Sequence, residues 1–464
     1  MEEKRKKIVI LGAGISGLAA AFWLEKDGFD VTVLEWKSEP GGSMETRHED
    51  GFLVDYGPNS GLETVPLIGK LIDGVGLRRE FVYANTEGDK RYILKNSRLH
   101  ALPTNPKAFI KTELFSAKAK LRLFAEPFIG KSEDGYYQSI SEFVKRRLGT
   151  EFLDYAINPF VAGIFAGDPD KLSVKSAFPK LYRLEEEYGG LVKGMIKGAK
   201  ERKERSEQSK QNARMFSFKN GMQSLPIAIA NHLKDKIRYN CKVQKIEEGK
   251  DGYRVIFNRL DTVENITADA LISAIPAYRL SPVIRDLDKD VCAHLNQVYY
   301  PPVKVLFLGF EKKHIGQALD GFGFLIPEKE KRLFLGAIFS SVVFPERSSD
   351  DVAVFTLFIG GSRSPEILEM EDPALVSNVI SEFKNTMRIT KDPVFVREKL
   401  WPKAIPQYTL GYVEHERNFS RFEAAHPGIF LSGNFRGGIS VGDCIKNSEI
   451  VCERLKKHFA GTAG

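Results

Sequence analysis

At 464 residues, with 42% hydrophobic and 28% charged side chains, the chain is too long for one core and too balanced to be disordered or fibrous. Its net charge of +7 is a mild excess that names no partner, and nothing points to nucleic acid. The four cysteines (Cys241, Cys292, Cys444, Cys452) form no CxxC pair and the eight histidines no HxH or HxxxH spacing, which argues against a zinc site or a disulfide framework and suits a reducing compartment.

The N-terminus runs through charged residues into an apolar strand without the apolar stretch of a secretory signal, so none is expected. No uncharged apolar run reaches the roughly 18 residues a bilayer crossing needs. Residues 7–11 read as a buried parallel strand, 15–26 as a helix and 31–34 as a second strand. Between strand and helix lies Gly12-Ala13-Gly14-Ile15-Ser16-Gly17, whose glycines permit a tight turn and close approach of a pyrophosphate to the helix amides. Glu35 ends the second strand, where a carboxylate accepts hydrogen bonds from a ribose diol and repels a 2′-phosphate. That disfavours NADP and leaves FAD and NAD. Gly41-Gly42 and then Phe52 to Gly57-Pro58-Asn59-Ser60 resemble the second flavin contact of two-domain flavoproteins, which an NAD dehydrogenase would not need, so FAD is expected.

From 106 to 212 the chain turns helical and charged, as an inserted domain would. Within it residues 107–128 interleave basic and large apolar residues like an interfacial helix, and 197–214 read as a solvated charged helix or loop. Strand signals at 215–218, 242–246, 253–257 and 271–275 suggest a return to the first domain. Runs at 303–310, 322–326, 333–340 and 352–360 suggest an antiparallel substrate-side sheet. The end, 428–431 followed by Gly433-Asn434 and a helix over about 440–458, closes the first domain again, its helix amides turned toward a flavin. The expected fold is α/β (α+β overall). A Rossmann-type FAD-binding domain (1–95, 213–275, 425–464) carries a helical membrane-associated domain (106–212) and a mixed-sheet substrate domain (96–105, 276–424).

Nearly the whole chain resembles the protoporphyrinogen oxidase family within the flavin amine oxidase and phytoene desaturase superfamily. Beyond the nucleotide fingerprint, the resemblance rests on Arg91-Tyr-Ile-Leu94, Leu99-His-Ala-Leu-Pro-Thr104, Ser141 to Gly149, Asn158-Pro-Phe-Val-Ala-Gly-Ile-Phe-Ala-Gly-Asp168 and Leu172 to Pro179. It continues through Gly221 to Pro226, Gly321 to Pro327, Phe339 to Pro345, Phe358-Ile-Gly-Gly361 and Ile405-Pro-Gln-Tyr408. It departs from the wider superfamily at Ser43, where a larger residue is common, and at Gly433-Asn434, where an acid often follows the glycine.

The resemblance implies that FAD is held by Gly12, Ala13, Gly14, Ile15, Ser16, Gly17 and Glu35, by Gly42 and Ser43, and by Gly57, Pro58, Asn59 and Ser60. Val243 would meet the adenine, and Trp401, Asn434, Ile439, Ser440 and Val441 the isoalloxazine end. For a porphyrinogen substrate it implies a propionate on Arg91, an apolar clamp of Leu325 and Phe358, and the Gly167 carbonyl at the reacting edge. Hydrogens would leave the saturated macrocycle for the flavin N5, and dioxygen would reoxidise the flavin in each of three two-electron rounds. No catalytic side chain is assigned, because the cofactor carries the chemistry. Protoporphyrinogen IX is the expected substrate and coproporphyrinogen III the alternative. An amine or carotenoid-precursor oxidase, or a non-catalytic lipid-binding protein, stands further off. The chain is expected to be cytoplasmic and peripherally attached to membrane, with homodimerisation left open.

Overall fold

The computed structural model of the protein describes residues 5–88, 90–204, 213–250 and 252–462. Five parallel strands form the first sheet, in the order Ile237–Arg238, Asp30–Leu34, Lys7–Leu11, Ala270–Ser273, Ile429–Leu431. The sheet thus joins the start, middle and end of the chain. Lys7–Leu11 is central, and Ile8 to Leu11 are buried on both faces, which is why the segment reads as a continuous apolar run. Ile8 and Ile10 pack under the helices Ile15–Lys26, Ser224–Leu233 and Val441–Thr462. Val9 and Leu11 face the meander Cys241–Gly249, Gly252–Arg259, Thr262–Ala268.

The second large sheet has seven strands, in the order Phe395–Trp401, Val303–Glu311, Val352–Gly360, Gly336–Ile338, Gly321–Leu325, Lys90–Lys95, Arg98–Ala101. All neighbours are antiparallel except Gly321–Leu325 with Lys90–Lys95. Both strands of the 90–101 hairpin therefore belong to this sheet. One face, bearing Leu306, Phe324, Phe355 and Leu357, is covered by the helix Asp372–Met387 through Leu375, Val379 and Phe383. The other face looks toward the first domain. The strand expected over 333–340 is only Gly336–Ile338, because the chain turns helical at Ser340–Val343.

The helical region includes Ile140–Arg147, Asn158–Phe165, Pro179–Tyr188 and Leu191–Glu204. The expected single interfacial helix over 107–128 is instead two short helices, Pro106–Lys111 and Ala117–Leu123, and a turn at Glu126–Phe128. The break is local chemistry: Thr112 is extended, and Asn105 and Ser116 each cap a new helix, accepting from Ala108 N (2.9 Å) and Ala119 N (3.2 Å). Of the charge-dense stretch 197–214, residues 197–204 continue the helix Leu191–Glu204, and residues 205–212 lie outside the described residues. At the centre of this region Arg147 is fully buried between Glu126 (2.8 Å) and Glu185, and Glu126 also accepts from Leu191 N (2.7 Å) and Val192 N (3.0 Å). Among the described residues no helix is long and apolar enough to cross a membrane. The four cysteines are buried free thiols.

Candidate active site

The glycines of the first loop have separable jobs. Gly12 has φ +98°, a left-handed turn that a side chain would strain. A methyl group at Gly17 would lie 2.0 Å from the Gly12 carbonyl oxygen, so helix and strand can approach this closely only with glycine there. Gly14, at the start of the helix, would point a methyl group into open space with nothing within 4 Å. That open space lies at the exposed amides of a helix start, where a pyrophosphate fits. Ala13, Ile15 and Ser16 are buried around it.

Glu35 closes the far side. Its carboxylate accepts from Ala13 N at 2.6 Å and Lys37 N at 2.9 Å, tying the glycine turn to the end of the second strand. Burial raises its pKa, and the Lys37 and Ala13 amides oppose that rise. Each oxygen keeps a lone pair for a ribose hydroxyl. Cys241 N bonds to the Glu35 carbonyl at 2.7 Å, so Val243, two residues on, sits on the strand that leaves from this corner.

The paired glycines fold back onto the fingerprint. Gly41 N bonds to Ala13 O at 2.9 Å, and a methyl group at Gly42 would lie 3.3 Å from Gly14 Cα. One at Gly57 would lie 1.7 Å from the Ser43 carbonyl oxygen. A side chain at either position would force these loops apart, so the phosphate loop, Gly42-Ser43 and Gly57-Pro58 form one continuous wall. Asn59 and Ser60 carry that wall to the large sheet, where they line a cleft with Phe307, Phe322, Ile338 and Thr356. The cleft is braced by a buried Asp55–Arg347 ion pair at 2.9 Å. The Trp401 indole N–H donates to the Tyr56 carbonyl at 2.8 Å, which seats the ring beside the same segment.

The C-terminal residues arrive from the opposite side. Tyr408 donates its hydroxyl hydrogen to the Asn434 carbonyl (2.7 Å) and accepts from Gly438 N (3.0 Å), clamping the loop before Ile439 and Ser440. Ser440 caps the last helix by accepting from Asp443 N at 3.1 Å. The helix begins at Val441, and a methyl group at Gly442 would lie 3.3 Å from Leu62 O, so the helix start rests on the residues that follow Ser60.

Strand register assembles the substrate side. Leu325 pairs with Gly336 and Gly336 with Phe358, so all three share one row and one face. Because Gly336 has no side chain, Leu325 and Phe358 stand two strand spacings apart, roughly 10 Å, with a gap between them. They are partly open in strands that are otherwise almost wholly buried. Arg91 pairs with Gly323 on the same face, one row away, exposed and 5.8 Å from the Phe322 ring. The helix Asn158–Phe165 borders the gap, with Phe160 and Ile164 exposed and Gly163 giving way to Leu325, whose Cδ2 would lie 2.6 Å from a methyl group there.

Gly167 is buried just beyond that helix, after the left-handed Ala166. A methyl group there would meet Gln407 Oε1 at 2.8 Å. Gln407 donates to the Phe165 carbonyl at 2.8 Å and so fixes the turn. The structure thus sets the phosphate loop, Glu35, Gly42-Ser43 and Gly57-Pro58 along one wall, and Arg91, Leu325 and Phe358 on one face of the large sheet. Tyr408, Gln407 and Gly336 are residues the sequence does not single out individually. The first two lie in the Ile405–Tyr408 motif, but only their partners across the fold reveal their roles.

In comparisons with known proteins, the chain is 35% identical to protoporphyrinogen oxidase 2 of Arabidopsis thaliana, over 95% of this chain and 92% of the relative. It is 27% identical to coproporphyrinogen III oxidase of Bacillus subtilis, over 96% and 97%. Among solved structures it resembles a candidate protoporphyrinogen oxidase from Exiguobacterium sp. 255-15, with TM-score 0.79, 24% identity and coverage of 97% and 98%. It also resembles cyclohexylamine oxidase from Brevibacterium oxydans, with TM-score 0.69, 16% identity and coverage of 97% and 100%. The cofactor is FAD, which the open cradle at Gly14 and the ribose-facing Glu35 fit. Residues 15–456 match the flavin containing amine oxidoreductases, and the chain belongs to that family as an FAD oxidoreductase.

Proposed function

We propose that the protein oxidises a porphyrinogen to the porphyrin, with dioxygen as final oxidant. The observation that carries this reading is the Leu325–Gly336–Phe358 row, an apolar gap on the sheet face turned toward Gly57–Ser60 and Trp401. A flat, greasy ring with acidic side arms suits such a gap. Bound FAD supplies two-electron oxidation. The protein's part is placement. Leu325 and Phe358 hold the two faces of the ring, Arg91 takes a propionate as a bidentate fork, and the Gly167 turn, pinned by Gln407, faces the reacting edge. The wall from Gly12 to Gly17, Glu35, Gly42-Ser43 and Gly57–Ser60 holds the cofactor, with Val243 toward its adenine and Asn434 and Ile439–Val441 toward its ring end.

The relatives' names favour protoporphyrinogen IX. Coproporphyrinogen III is the second reading, favoured by an unpaired cation described below. Anaerobic mixing with each porphyrinogen should bleach the flavin, and admitting air should release porphyrin fluorescence. A flavin left oxidised by both would end the assignment.

Peripheral membrane attachment belongs to the same reading, since the substrate is poorly soluble. Its support is an outward set of apolar residues in the helical region: Ile110, Leu121, Phe124, Met195, Ile196 and Phe128, the last 88% exposed. Lys107, Lys111 and Lys118 lie in the same short helices. Phe124→Asp with Phe128→Asp should abolish flotation with anionic liposomes and leave the melting temperature unchanged. Equal flotation of both forms would remove this claim.

A further inference from the structure

Arg363 lies just beyond the strand that carries Phe358. Its Nη1 donates to the Ile326 carbonyl (3.1 Å) and to Asn158 Oδ1 (3.1 Å), which pins the guanidinium beside Leu325 and the start of the Asn158–Phe165 helix. Among the described residues its Nε and Nη2 have no partner, and neither atom is sealed from solvent. No carboxylate stands within 4.0 Å of it. Glu328, held by Asn158 (3.0 Å), and Asp168, paired with Lys171 (3.2 Å), act on it only from further away. Burial pulls its pKa down, and those two carboxylates oppose that.

The fully buried cations are treated differently. Arg147 has Glu126 at 2.8 Å, Arg347 has Asp55 at 2.9 Å, and Lys304 has Asp372 at 2.6 Å. A partly desolvated guanidinium without a close counter-ion favours the arrival of an anion. Its free edge offers the fork geometry of a carboxylate partner.

Its location says which carboxylate. Arg91 pairs with Gly323, while Arg363 is anchored at Ile326, three residues further along the same stretch of chain and past Leu325. Their attachment points, Gly323 and Ile326, thus lie on either side of Leu325, about 10 Å apart along that segment.

Resting on the porphyrinogen reading above, we propose that Arg363 is a second carboxylate anchor, taking a propionate on the edge of the macrocycle opposite the one held by Arg91. Coproporphyrinogen III carries a propionate on every pyrrole and engages both anchors. Protoporphyrinogen IX carries its two on neighbouring pyrroles and engages one.

The test compares the intact FAD-loaded enzyme with Arg363→Gln and Arg363→Lys, using both porphyrinogens for turnover and coproporphyrin III with its tetramethyl ester for binding. Arg363→Gln should raise KM for coproporphyrinogen III about tenfold with kcat within about twofold, and change KM for protoporphyrinogen IX by less than about threefold. Arg363→Lys should recover most of the loss, and ester binding should not respond. An unchanged KM for coproporphyrinogen III, or ester binding weakened as much as that of the free acid, would overturn the proposal. A tenfold rise for both substrates would overturn the opposite-edge geometry. Should Arg363→Gln lose its FAD, the unaltered enzyme still decides: affinity for coproporphyrin III must fall more steeply with salt than affinity for protoporphyrin IX, and parallel slopes refute a second anchor. A flavin reduced by neither porphyrinogen brings down the underlying reading as well, whereas normal reduction with an indifferent Arg363 brings down this inference alone.

Discussion

The parallel sheet of the first domain and the helical region place charge and exposed apolar side chains differently. In the sheet, Ile8 to Leu11, Val31, Val33 and Ile272 are buried, and the nearby acid, Glu35, is satisfied by backbone amides. In the helical region an ion cluster, Arg147 with Glu126 and Glu185, is buried beside apolar residues such as Leu114, Ile140, Phe143 and Phe152, while Phe124, Phe128 and Ile196 face outward. Exposed aromatics of this kind are what the proposed membrane contact would use. The ion cluster adds a geometric requirement to the apolar packing of this region.

That contrast is open to attack from the ionic side first, where the largest effect is expected. Arg147→Met removes one cation and leaves Glu126 and Glu185 buried without it. Breaking a buried pair this way costs about 3–5 kcal/mol. Limited proteolysis should cut the helical region of this variant under conditions in which the unaltered protein is resistant. A variant as resistant as the parent would show that the cluster is not what holds the region.

The sheet side predicts a split between two glycines. Gly17→Ala forces a methyl group to 2.0 Å from a backbone oxygen, so helix and strand must part. Overpacking of this kind costs about 1–3 kcal/mol, and both melting temperature and FAD content should fall. Gly14→Ala meets nothing and keeps an ordinary φ of −73°, so the apoprotein should melt as before. Its methyl group would nevertheless occupy the space a pyrophosphate needs, and FAD affinity should drop about tenfold, as read by flavin release on dilution. Equal FAD affinity in Gly14→Ala and the parent would move the phosphate site elsewhere.

What the sequence made legible follows the same division. Gly12 to Gly17, the helix 15–26 and Glu35 lie within 24 residues of one another, and local turn chemistry alone identifies them. The substrate gap was not legible in that way. Leu325 and Phe358 meet only through the register of Gly336, in a three-residue strand that its sequence made look much longer. Phe395–Trp401 escaped notice because Arg397, Glu398 and Lys399 interrupt it, as suits an edge strand. Arg147 sits in a last helical turn, where basic residues are common on solvated surfaces, and only the fold shows that Glu126 and Glu185 close over it. Arg363 was invisible for the same reason, since what marks it is a missing partner.

The smallest effect tests a third seam, between the helices Lys289–Gln297 and Tyr412–Ala425. There His294 Nδ1 and His415 Nδ1 stand 2.9 Å apart. Burial, with His294 adding to it, pulls the His415 pKa down to about 4, against a weak opposing pull from Glu414. Above pH 6.5 this ring is neutral folded or unfolded and contributes nothing. As pH falls from 6.5 toward 4 the unfolded chain takes a proton that the folded chain refuses, so stability is lost through that window and the loss is complete below it. At pH 5, part-way through that window, the loss is on the order of 1 kcal/mol. The seam bears on the cofactor end, because the neighbouring Tyr412 hydroxyl donates to the Phe435 carbonyl in the loop before Ser440. His415→Phe should therefore melt about 1–2 °C higher than the parent at pH 5, measured relative to pH 7.5, and release flavin more slowly there. Melting curves of parent and variant that fall in parallel from pH 7.5 to 5 would mean that the proton goes elsewhere and that this seam, like the apolar sheet beside it, is indifferent to acid.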